Sequence, residues 1–112
     1  LELDVLRDRN ALYRTLPSGR IENVYTLKVV NMDEHAHRYL YEVSGLPTMR
    51  LESSATDREI KAGEVSSIPV RVSVQASTVR ERSQTITFRL TAADDVTLSV
   101  SEPARFLGPI KH

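Results

Sequence analysis

The sequence predicts an all-β domain built from two antiparallel sheets packed face to face. Three observations carry this. Period-2 alternation of apolar and polar residues recurs in short runs along the chain. The runs are separated by clusters of Pro, Gly, Asn, Asp and Ser, the residues that favour turns. No window of useful length shows a sustained 3.6-residue period with helix caps. Strands with one polar face each belong to antiparallel sheets, because the central strands of a parallel sheet read as continuous apolar runs.

Taken in order, Leu1, Leu3 and Val5 alternate with charged residues and predict an opening strand. Pro17, Ser18 and Gly19 mark a turn. In "GRIENVYTLKVVN", residues 19 to 31, Tyr25, Leu27 and Val29 alternate with Thr26 and Lys28. Asn31 ends that run, and its short amide can satisfy backbone groups where the strand leaves the sheet. "HRYLYEVSG" sets Tyr39, Tyr41 and Val43 against Leu40, Glu42 and Ser44, and a weaker strand is expected within Met49 to Ser54.

The later runs are clearer. "IPVRVSV" places Ile68, Val70, Val72 and Val74 on one face. Pro69 lacks the N–H that a ladder requires, so its strand lies at an edge there or begins pairing after it. "QTITFRLTA" turns Ile86, Phe88 and Leu90 inward, and "DVTLSVSE" is expected to do the same with Val96, Leu98 and Val100. Asp94 and Asp95 separate these two strands as a tight hairpin. Ser77 to Gln84 is expected as loop rather than a short helical turn.

Composition bounds the function classes. At 112 residues the chain makes one domain. Fifteen basic side chains balance fifteen acidic ones, which argues against nucleic acid or an anionic membrane as the main partner. With no cysteine there is no disulfide, no thiolate nucleophile and no Cys-ligated zinc or iron–sulfur cluster. Only four glycines are present, and no phosphate-cradling loop, nucleophile elbow or HExxH helix occurs. No catalytic residue is assigned, and the domain is expected not to be an enzyme. With no initiator Met or signal peptide, and strand-like sequence from Leu1, the chain is expected to be a domain of a longer protein.

Three stretches are candidates for contact or metal binding. His35 and His37 would share a face if they lay on a strand, and could grip copper or zinc with Asp33 or Glu34 as a third ligand. The simpler reading is a solvated turn, so no metal site is assigned. Arg7, Asp8, Arg9 and Asn10 form either a docking patch or charged protection of a strand edge, the second being favoured. Arg80 and Arg82 lie in a charged loop. The loops Asn31 to His37 and Ser77 to Arg82 are the expected contact surfaces, with Asp33, Glu34, Arg80 and Arg82 as their charged members.

The order of pieces carries a resemblance. "DVLRDRNALYR", then "SGRIENVYTLKVVN", then "YLYEVSGL" and "AGEVSSIPVRVSV" together resemble the C-terminal domain of the FixG family, the cytochrome c oxidase accessory proteins (CcoG). The resemblance covers nearly the whole chain. It implies an immunoglobulin-like sandwich of about seven strands over residues 1–112, at the end of a polytopic protein of the bacterial inner membrane. It further implies 4Fe-4S clusters in that parent, none of them held by this cysteine-free stretch. It implies a periplasmic position, a role in assembling cbb-type cytochrome c oxidase and in copper handling, and contact with an oxidase subunit or copper-assembly factor.

Overall fold

The computed structural model describes residues 1–8 and 12–109. Eight strands follow in order: β1 (Glu2–Arg7), β2 (Arg14–Thr15), β3 (Ile21–Val30), β4 (Tyr39–Ser44), β5 (Arg50–Glu52), β6 (Val65–Val74), β7 (Ser83–Ala92) and β8 (Asp95–Leu107). One sheet has the order β1-β3-β6-β5, with β2 also pairing to β3; the other is β4-β7-β8, and all pairings are antiparallel. This is the A-B-E-D and C-F-G arrangement of a constant-type immunoglobulin sandwich, with the two-residue β2 as an addition to the expected seven.

The core sits between the sheets. Tyr25, Leu27 and Val29 of β3, Ile68, Val70, Val72 and Val74 of β6, and Ile86, Phe88 and Leu90 of β7 are all buried, as the alternation predicts. Tyr25 of β3 and Phe88 of β7 meet edge to face, with ring centroids 5.1 Å apart. They join the same two strands, B and F, that a disulfide joins in antibody domains. Polar stitches reinforce the join. Asn23 exchanges two hydrogen bonds with the backbone of Leu107, each 2.8 Å, and the Tyr25 hydroxyl donates to the Arg105 carbonyl at 2.7 Å. Gly45 passes so close to β7 that a Cβ there would stand 3.0 Å from the Thr85 carbonyl, at a φ of +120°.

Several expectations need correction. Tyr41, Val43, Leu98 and Val100 face inward but are only half-buried, because β4 and β8 are the two edges of their sheet. Val96 is 78% exposed, since it sits beside the hairpin where the β7–β8 register shifts between Thr91 and Ala92. β8 runs on to Leu107, well past the predicted run, and buries Phe106. A short 3₁₀ turn does form, over Ala76–Thr78, and Val79 after it is fully buried. Pro69 pairs with Thr26 on β3, while its carbonyl faces away, beyond the end of β5, where it accepts from the Ser53 hydroxyl at 2.5 Å. Pro69 thus lies on a locally free edge.

Candidate functional site

The contact candidates separate to opposite ends of the sandwich. β1 runs antiparallel to β3, so Arg7 lies opposite Tyr25 while Asn31 and its loop lie at the other end. Arg7, Asp8, Arg80 and Arg82 belong to one end; Asp33, Glu34, His35 and His37 belong to the other. Arg9 lies outside the described residues.

At the first end, Asp8 donates its N–H to the Val24 carbonyl at 2.9 Å, which continues the β1 ladder. Arg80 and Arg82 are exposed. The Arg82 carbonyl accepts from Gly108 at 3.0 Å, tying the loop to the end of β8. Beside it Leu12, Tyr13, Leu107 and Pro109 line a hollow of about 560 Å³. Its walls are mostly apolar, and among the described residues Tyr13 and Arg82 are the titratable side chains on them.

The other end is organised by Asn31 and His37. Asn31 leaves β3 buried, as its capping role predicts. Its side-chain N–H groups donate to the carbonyls of His35 (2.9 Å) and Ile60 (3.0 Å), and its oxygen accepts from the Asp33 amide (3.0 Å). His37 and Ile60 exchange backbone hydrogen bonds of 3.0 and 2.9 Å. The loop is therefore pinned to the β5–β6 connection.

His37 is buried rather than solvated, and His35 is exposed. The two do not lie together on a strand, so they do not share a face. The His37 ring is clamped between two carboxylates: Nε2 is 2.5 Å from Asp33 Oδ2, and Nδ1 is 2.7 Å from Asp94 Oδ1. A neutral imidazole carries one N–H, so the doubly protonated ring is the form that donates to both carboxylates. Asp33, and then Asp94, hold the imidazolium charge and raise its pKa. Reciprocally, the hydrogen bond from His37 holds both carboxyls below their usual range. While both carboxylates grip the ring, it has no lone pair to ligate a metal or to take a proton in catalysis. Among the described residues, no group of three or more His, Cys, Asp or Glu side chains is placed to hold a metal ion.

In the sequence Asp94 stands out only as a turn residue. Its partner is 57 positions away, and the signal that was available, a polar two-residue hairpin, says nothing about which loop faces it. A second unforeseen group is Arg20, buried at the start of β3. Its Nε donates to the Ser73 hydroxyl (3.0 Å), and its Nη2 donates to the carbonyls of Thr48 (2.7 Å) and Ser73 (2.8 Å). It braces the turn before β5.

The fold and both loop ends define an immunoglobulin-like accessory domain, with no converged catalytic group among the described residues. Residues 1–109 match the family described as "IG-like fold at C-terminal of FixG, putative oxidoreductase", and the chain belongs to that family. Among solved structures it is similar to the crystal structure of a FixG-related protein from Vibrio parahaemolyticus. That similarity has a TM-score of 0.84 and 28% identity, covering 97% of this chain and 96% of the other. No curated protein matches the chain.

Proposed function

We propose that this domain is a non-catalytic interaction module of a FixG-like iron–sulfur membrane protein, lying on the periplasmic side and supporting cbb-type oxidase assembly and copper delivery. The observation that carries the reading is the family match over residues 1–109, joined to a fold whose polar groups are used for holding loops in place. Loops held by side-chain ties on a rigid sandwich are the usual place for contact residues. Redox cofactors belong, on this reading, to other parts of the parent, because this chain has no thiolate to hold a cluster. No helix among the described residues is long and apolar enough to cross a membrane, so any membrane segment would also lie in other parts of the parent.

The alternative in which His35 and His37 receive copper is opposed by the engagement of both His37 ring nitrogens. A third reading, a folded cap without a partner, makes the opposite prediction in one experiment. Residues 1–112 are deleted from the parent while its membrane and cluster regions are kept. Cluster content is expected to persist while oxidase assembly falls; normal assembly would refute the interaction role.

A further inference from the structure

The four outer strand edges of this sandwich are not alike. β1 carries Glu2, Asp4 and Arg7, and charge on an edge deters pairing. β5 is only three residues long. β8 carries Pro103 opposite Thr87. Along β4, bonding toward β7 falls on the even positions: the Arg38 carbonyl accepts from the Ala93 amide at 2.8 Å, and antiparallel ladders alternate. Ser44 and its partner Thr87 therefore bond each other. Thr87 then turns away from β8, and the missing N–H of Pro103 falls on the free side of β8 and blocks that edge.

β4 is the most lightly guarded of the four. Its sequence, YLYEVS, is aromatic and β-branched, with one charge and no proline. The backbone N–H and C=O groups of the odd positions point away from β7, as the paired bonds of His37 to Ile60 show, while their side chains turn to the core. That bridge lies just before β4, and it is where the chain's own segment pairs along this line. By Arg58 it has turned off, donating its amide to the Ala55 carbonyl at 3.4 Å. Among the described residues nothing accepts from or donates to the outward backbone groups of Tyr41 and Val43. Two donors and two acceptors are left in line. At the seam where β4 and β5 approach each other from the two sheets, Tyr41, Val43, Met49 and Leu51 are half-buried against the core. The Tyr41 hydroxyl there is buried with no hydrogen-bond partner.

We propose that the outer edge of β4 is a strand-addition site for an extended segment of another protein. The segment continues the line that Ile60 begins and bonds to the backbone of Tyr41 and Val43. Its apolar side chains, at alternate positions, enter the seam beside Met49 and Leu51, and one polar group reaches the Tyr41 hydroxyl. Unpaired backbone in a row selects an extended polypeptide, because only another backbone matches its spacing. In the register that pairs Tyr41 with the copy's Val43, a second copy sets Glu42 against the copy's Glu42, and like charges directly opposite are destabilising. The segment is one with a neutral or basic residue opposite Glu42, and pairing of two copies about Tyr41 is the competing outcome that the test separates. This deepens the interaction-module reading and rests on it for its biological setting.

The first test needs no ligand. By NMR hydrogen exchange on the free domain, the Tyr41 and Val43 amides should exchange about tenfold or more faster than those of Leu40 and Glu42, which face β7. The second uses a random heptapeptide display library as the probe. Selected peptides should show alternating apolar positions, and on titration should protect the Tyr41 and Val43 amides. Val43→Pro removes one outward N–H without touching the β7 ladder, and Val43→Lys places a guarding charge; each should abolish binding while cooperative unfolding is kept. Tyr41 and Val43 protected in the free domain, no peptide above background, binding unchanged in both variants, or protection arising only from self-association would each overturn the proposal. Peptide addition together with normal oxidase assembly in the deletion strain would keep this edge and sink the oxidase role. Failed assembly without peptide addition would sink the edge alone.

Discussion

The rings of Tyr25 and Phe88 pack edge to face, 5.1 Å between centroids and 71° between planes, in the middle of the space between the two sheets. Both are fully buried. In a cysteine-free domain this contact joins strands that a covalent bridge joins in antibody domains. Phe88→Ala is therefore expected to cost roughly 3 to 5 kcal/mol, from lost transfer energy and the cavity left behind. Denaturant unfolding measures it, and a cost under about 1 kcal/mol would contradict the packing. Tyr25→Phe, which keeps the ring and loses the bond to Arg105, should cost about 1 kcal/mol.

Asn23 closes the same end of the sandwich. Its amide supplies both a donor and an acceptor to the Leu107 backbone. Asn23→Ala leaves both Leu107 groups without those partners, for an expected loss of about 2 to 3 kcal/mol. Asn23→Asp keeps the acceptor but sets a second, buried carboxylate oxygen against the Leu107 carbonyl, and should cost at least as much as Asn23→Ala. Equal stability of Asn23→Ala and wild type in urea would remove the stitch from the account.

The His37 clamp makes stability depend on pH in a definite direction. The folded-state pKa of His37 is raised, so its contribution is complete below the ordinary value of about 6.5 and is lost as pH rises through the raised value. The pKa values of Asp33 and Asp94 are lowered, so their contribution is present above about 3.9 and is lost as pH falls through the lowered values. The clamp is thus complete between those two limits. Asp94→Asn should flatten the alkaline limb of the urea midpoint against pH and bring the His37 imidazole titration, followed by NMR, down toward 6.5. A wild-type His37 midpoint at or below 6.5 would contradict the doubly held ring.

Metal binding is expected to be weak. A copper or zinc ion would have to displace Asp33 or Asp94 from His37 and would find exposed His35 as its only imidazole neighbour on the loop. Calorimetric titration with Cu(II) and Cu(I) near neutral pH should show no submicromolar site. Submicromolar affinity that disappears in the His35→Ala, His37→Ala double variant would restore the copper-handling reading.

Period and punctuation in the sequence determined the all-β class, the inward faces of β3, β6 and β7, the hairpin at Asp94, and the capping role of Asn31. These are local properties: alternation has a two-residue period, and turn residues act within a few positions of themselves. Strand order is not local. Alternation tells that Tyr41 and Val100 face inward, but only the assembled sheets decide that β4 and β8 are edges, which leaves both residues half-buried and Val96 in solvent. The same holds for His37. "DEHAH" reads as a solvated turn until the β7–β8 hairpin brings Asp94 against its ring from 57 residues away. Pairing of charges in a folded chain depends on which loops meet, and that is set by how the two sheets stack, so the clamp, the Arg20 brace and the open edge of β4 were decided by the tertiary structure alone.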